Sequence, residues 1–256
     1  MKRLYSMKFA AATLACAGFI LPGLLQAQPA ADVAASAVLH SDRPEADRAD
    51  DAARMPELML TFAGIQRGMH VLEMEAAGGY YTEILSRAVG DEGSVVMQTP
   101  PSFDSFLGDA IPNRVGGNRL PNVIVSRTNF DTLEAEDGSM DMVTWIMGPH
   151  ELWFQPGGNV NLGDPEESFA EIVRVLKPGG LFFTIDHDAL PDAGPEVGGT
   201  LHRVPEEEII ALAEDAGLTL VNSSGLRRNP DDPLDIGVFD PAIQGKTDKF
   251  VLLFQK

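Results

Sequence analysis

Cysteine is all but missing from this chain: the single Cys16 lies in an N-terminal stretch that reads as a removable leader. Once that leader is gone, no disulfide, thiolate nucleophile or thiolate-bound metal is available. Basic residues are also scarce, with 19 Lys and Arg against 38 Asp and Glu. Such a charge balance repels phosphate backbones and anionic headgroups, so neither nucleic acid nor a membrane surface is the expected partner. A neutral or cationic small molecule suits it better, although acidity also serves simply to keep a protein soluble. No internal repeat is present.

The only long apolar stretch, residues 9–25, follows Lys2, Arg3 and Lys8, is broken by Pro22 and Gly23, and gives way to small and polar residues near Ala27. This is the pattern of a secretory signal peptide over residues 1–27. A stable membrane span would need about 20 unbroken apolar residues. Cleavage near Ala27 or Ala30 leaves 16 basic residues against 38 acidic ones, a balance of −22. The expected location is periplasmic or secreted. Residues 28–44, rich in Ala and small polar groups without clear periodicity, read as a flexible linker. The folded domain is then expected over 45–256.

What is present centres on residues 70–88. Residues 70–73 form a short apolar run, Ala76, Ala77, Gly78 and Gly79 a turn, and residues 80–88 a helical stretch. Strand, small-residue turn and helix together let backbone N–H groups approach a ligand at a helix start. The dinucleotide pattern G-x-G-x-x-G is incomplete, because Glu75 and Ala77 stand where small residues are expected. The residues alone leave a ligand turn and a plain tight turn both open.

Further apolar strands are expected at 93–98, 122–126, 140–146, 181–185, 218–221 and 250–254. Helical periodicity falls at 45–62, 103–110, 165–176 and 205–216. Lys177 to Gly180 should end the third of these helices as a C-terminal glycine does. The alternation implies an α/β, doubly wound, mostly parallel Rossmann-like sheet of about seven strands with helices on both faces. Ligands in such sheets bind beyond the C-terminal strand ends.

Val71-Leu72-Glu73 with Ala77-Gly78-Gly79-Tyr80, the segment 136–141 (EDGSMD) and the segment 174–180 (RVLKPGG) together resemble class I S-adenosylmethionine-dependent methyltransferases over roughly residues 50–256. More narrowly, Asp186-His187, His202-Arg203, Arg228-Asn229-Pro230, Phe239 to Pro241 and Gly245 to Asp248 resemble a group of exported bacterial predicted methyltransferases. The resemblance implies S-adenosylmethionine as cofactor and a small-molecule acceptor. It places Glu73 at the methionine end, Ala77, Gly78, Gly79 and Tyr80 at the turn beneath the cofactor, and Asn129 and Phe130 near adenine. Thr99 falls where the family has a ribose-binding carboxylate, and Glu75 replaces a small residue of the turn. Two readings follow: a methyltransferase, or an exported binding or scaffold protein that kept the fold and lost the cofactor.

His150 follows the fourth strand, and Asp186 and His187 end the fifth, so a doubly wound sheet brings them to one edge. A histidine oriented by a carboxylate is a general base near neutral pH, and His150 or His187 is the expected proton acceptor. The same groups with His202 and Asp188 offer an oxygen-and-imidazole metal set, although their spacing follows no ligand motif and no metal is assigned. Plain loop residues satisfying turns are the third reading. Arg203, Arg227 and Arg228 suit a carboxylate or phosphate ligand, but Asp231, Asp232 and Asp235 offer pairing nearer by. Trp145 is expected in the core.

Overall fold

The computed structural model describes residues 28–155, 158 and 160–256; the expected leader over 1–27 lies outside them. Seven strands form one sheet: β1 (His70–Met74), β2 (Ser94–Gln98), β3 (Val123–Ser126), β4 (Met140–Ile146), β5 (Leu176–His187), β6 (Thr219–Ser223) and β7 (Lys249–Gln255). Their order is β3-β2-β1-β4-β5-β7-β6. The first five in that order run parallel, and β7 lies antiparallel to both β5 and β6. This is the mostly parallel, doubly wound arrangement that the strand–helix alternation implies.

Helices cover both faces: α1 (Ala30–Val38), α2 (Glu45–Arg54), α3 (Pro56–Ala63), α4 (Tyr80–Val89), α5 (Asp104–Leu107), α6 (Ala110–Val115), α7 (Pro165–Val175), α8 (Gly198–Leu201) and α9 (Glu206–Asp215). Because strand side chains alternate in direction, successive residues feed two cores. Leu72, Val143, Phe182 and Phe254 pack beneath α7 and α9 with Phe169 and Ile209. Val71, Met142, Phe183 and Leu253 pack on the opposite face with Leu60 and Ile84 of α3 and α4. Apolar residues on both sides of each strand are what a sheet sandwiched by helices requires.

Two sequence expectations change here. The supposed linker over 28–44 contains helix α1, whose Val33, Ala34 and Ala37 are buried against α3 and α4. Its small residues give little hydrophobic contrast along the chain but permit close helix packing. The RVLKPGG segment does not end α7 through a glycine cap. Leu176 is already extended and pairs with Met140, so Lys177 to Gly180 belong to a long β5 that carries Gly179 at φ 79°. The strand expected over 122–126 forms as β3 at a sheet edge, where Ile124 and Val125 are exposed.

Candidate active site at the C-terminal strand edge

The turn after β1 keeps a glycine-type backbone although two of its glycines are absent. Glu75 has φ 52°, Ala77 φ 48° and Gly79 φ 77°. For Glu and Ala this left-handed conformation costs about 1–2 kcal/mol per residue. Surrounding bonds hold it: Glu75 N donates to Gln98 Oε1 at 2.9 Å, Ala76 N to Gln98 O at 2.8 Å and Gly79 N to Ala76 O at 2.8 Å. The Glu75 side chain turns inward, where its Oε2 accepts from Trp145 Nε1 at 3.1 Å. A Cβ on Gly148 would come within 2.2 Å of that carboxylate oxygen, so a glycine there leaves room for it. Burial, with Glu151 nearby, raises the Glu75 pKa well above the usual carboxylate range.

Beside the turn lies a cavity of about 320 Å³, lined by Asp47, Asp50, Arg54, Glu73, the turn residues 75–78, Tyr80 and Tyr81 among others. α2 forms its rim: Tyr80 donates its hydroxyl to Asp51 at 2.6 Å, and the Arg54 guanidinium sits 4.4 Å from the Tyr80 ring centre. Arg114 spans the turn from the other side, donating to Gly78 O at 2.9 Å and to Asp47 at 2.6 and 3.0 Å. Glu73 accepts from the Thr82 hydroxyl at 2.5 Å, and burial pushes its pKa up to about 8.

Arg54, Tyr81, Ile146 and Met147 also line a second, more apolar cavity of about 300 Å³ that reaches Ile185, His187, Arg227, Thr247 and Lys249. The two cavities therefore share a wall made by Arg54, Tyr81 and the end of β4. His187 Nδ1 lies 2.6 Å from Thr247 Oγ1, and Lys249 Nζ donates to that same hydroxyl and to Thr247 O. Burial and the neighbouring Lys249 charge hold His187 well below the usual histidine pKa, so it is neutral at pH 7. Burial, reinforced by Arg227, lowers Lys249 to about 8.

His150 and Asp186 meet as the strand order implies. His150 Nδ1 is 2.8 Å from Asp186 Oδ1, and His150 N donates to Asp186 Oδ2 at 2.7 Å. His150 Nε2 faces His202 Nδ1 at 3.3 Å and Glu151 Oε1 at 3.3 Å. Burial opposes charge on His150, but Asp186 and Glu151 outweigh it and push the pKa up to about 10. Burial likewise opposes charge on Glu151, yet hydrogen bonds from His150 and His202 bring it down to about 2. In this state His150 carries a proton at neutral pH, which leaves His187 the better proton acceptor of the two.

Other expected site residues lie elsewhere. Phe130 does not present a face to adenine; it is fully buried, its ring centre 4.7 Å from that of Trp145. Asn129 donates to Asn161 O at 3.2 Å and does not line either cavity. Thr99 is buried at the end of β2, and its hydroxyl and that of Ser102 have no hydrogen-bond partner among the described residues. Glu151, Arg54 and Lys249 were not singled out from sequence, and Thr247 entered only within the segment 245–248. Glu151 stands next to His150, a neighbouring carboxylate that carries no spacing signal. Lys249 is the first residue of β7, just before the apolar run expected over 250–254.

The fold has counterparts among known proteins. Residues 76–184 match the methyltransferase domain family. Methyltransferase relatives include the ubiquinone/menaquinone biosynthesis C-methyltransferase UbiE of Idiomarina loihiensis, 26% identical over 168 residues, 63% of this chain and 57% of that one. The enzyme of the same name from Saccharophagus degradans is 26% identical over 190 residues, 73% of this chain and 71% of that one. The chain thus spans little more than half of the Idiomarina protein. A solved S-adenosylmethionine-dependent methyltransferase from Aquifex aeolicus matches with a TM-score of 0.57 at 22% identity, over 81% of this chain and 95% of that one. The [4+2]-cyclase SpnF matches with a TM-score of 0.58 at 15% identity, over 80% and 81%. These structural likenesses establish the fold. That a cyclase shares the fold shows why the reaction must be argued from the site.

Proposed function

We propose that this protein transfers a methyl group from S-adenosylmethionine to a small acceptor with an apolar body, and that it works outside the cytosol. One observation carries the reading: the cavity at the glycine-type turn shares a wall with an apolar cavity that ends at a neutral histidine. The residues fit the cofactor. Four carboxylates and two guanidinium groups line the turn cavity, a donor set suited to a molecule bearing a sulfonium, an ammonium and a carboxylate. The partnerless buried hydroxyls of Thr99 and Ser102 offer bonds at the strand end where the family resemblance expects ribose contacts. Glu73, Ala77, Gly78 and Tyr80 would hold the methionine end.

Bound there, the cofactor supplies an electrophilic methyl group on sulfur. In the neighbouring cavity Ile146, Met147 and Ile185 exclude water from the acceptor. His187 takes the acceptor's proton on Nε2 when Nδ1 donates to Thr247, whose hydroxyl fixes the ring. Lys249 and Arg227 favour the oxygen anion that deprotonation creates. The relatives named C-methyltransferase and the apolar lining both support an acceptor carrying an ionisable hydroxyl on a ring.

Calorimetric titration of residues 28–256 with S-adenosylmethionine and S-adenosylhomocysteine tests the reading. Saturable binding at micromolar concentration, about −8 kcal/mol, is expected for both. Folded protein that takes up neither would sink it. Cell fractionation tests the location, with the mature chain expected in the periplasm or medium.

A further inference from the structure

We propose that His150, Glu151 and His202 form a zinc site of the catalytic type, with an open fourth position. This inference does not depend on methyl transfer. Three donor atoms, His150 Nε2, His202 Nδ1 and Glu151 Oε1, stand 3.3, 3.3 and 3.4 Å apart. An ion bound tetrahedrally at about 2.0–2.1 Å from each requires donors about 3.3–3.4 Å apart; right-angled coordination would require about 2.8–3.0 Å. The triangle therefore has the dimensions of one face of a zinc tetrahedron.

The surroundings agree. Asp186 engages the other nitrogen of His150 at 2.8 Å, the carboxylate–histidine arrangement that orients a metal-binding imidazole. The second oxygen of Glu151 is buried with no hydrogen-bond partner among the described residues. The carboxylates of Glu151 and Asp186 meet these imidazoles without a Lys or Arg salt bridge among the described residues. Buried charge of one sign is costly unless it is paired or bound to metal.

The fold also brings the ligands together by close backbone contact. His150 and Glu151 lie in the 3-10 turn Pro149–Trp153, and His202 directly follows α8. A Cβ on Gly198 would come within 2.4 Å of His150 O, and one on Gly199 within 2.6 Å of Trp153 O, so only glycines let these segments touch. His202 itself adopts φ 53°, an uncommon conformation for a side-chain-bearing residue. The rings of Phe154 and Phe239, centred 5.0 and 5.1 Å from that of His202, add an apolar shell.

Residues 28–256, freed of metal with chelator, should take up one equivalent of Zn²⁺ with submicromolar affinity. Co²⁺ in its place should give the intense visible bands of tetrahedral coordination. His202→Asn tolerates the left-handed backbone while removing the imidazole, and Glu151→Gln keeps the shape of the side chain. Each should weaken Zn²⁺ binding at least about 100-fold with an unchanged melting temperature of the metal-free chain. Asp186→Asn should cost about 10–100-fold, as expected of a positioning residue. His40→Ala, remote from the cluster, should change nothing. Failure to bind Zn²⁺ saturably, an octahedral Co²⁺ spectrum, or undiminished binding by folded His202→Asn would overturn the proposal.

Discussion

Glu73, next to last in the buried strand β1, has one side-chain hydrogen bond, from Thr82, and its pKa is raised to about 8. In the unfolded chain the same carboxyl ionises near its ordinary value, about 4.3. Between those values the folded state holds a proton that the unfolded state has released. The contribution to stability is therefore fully present below the unfolded pKa and is lost as pH rises through about 8. Glu73→Gln keeps the shape without the titration. From pH 5 to 9 the melting temperature of the wild-type chain should fall relative to that variant, and parallel curves would show that Glu73 ionises normally. Arg203, also fully buried, pairs with Asp232 through two bonds of 3.0 Å, and the nearness of opposite charges in the sequence pointed to that pairing. The partners of Arg228, namely Asp188, Glu206 and Asp248, come from three separate elements, and nothing in the spacing indicated them.

Among the elements, α1 makes the sharpest test, because reading it as a linker and finding it as a helix give opposite expectations. Val33, Ala34 and Ala37 cover Leu60, Ala63 and Ile84, so removing residues 28–38 uncovers part of one core face. A loss of about 3–5 kcal/mol is expected, at roughly 1.5–3 kcal/mol for each large apolar side chain uncovered. Denaturant unfolding of the shortened chain measures it, and an unchanged midpoint would restore the linker. Strands β1 and β4 and helix α4 were legible because their apolar residues recur with an unbroken period. Helix α1 was not, since Ala packs closely yet gives a weak periodic signal. The zinc triangle was legible only in part: the histidines stood out, but their meeting depends on Gly198 and Gly199 pressing one loop on another.

At the scale of the whole molecule, charge is the dominant quantity. With 16 basic and 38 acidic residues over 28–256, the chain repels itself, and compaction intensifies the repulsion. Raising ionic strength from about 0.01 to 0.15 M shortens the screening length from about 30 to 8 Å. The melting temperature should rise by a few degrees, at about 2–4 °C per kcal/mol for a domain of this size. A fall would mean that surface ion pairs outweigh the net repulsion.

The position of β7 carries a consequence for how the protein is made. Last of the strands in chain order, it lies between β5 and β6, with Leu252 and Phe254 in one core and Val251 and Leu253 in the other. Until residues 249–255 leave the ribosome, β5 and β6 have no strand between them and neither core can close. A nascent chain of this topology stays open at least until that strand emerges, so both cores depend on the last strand to be made.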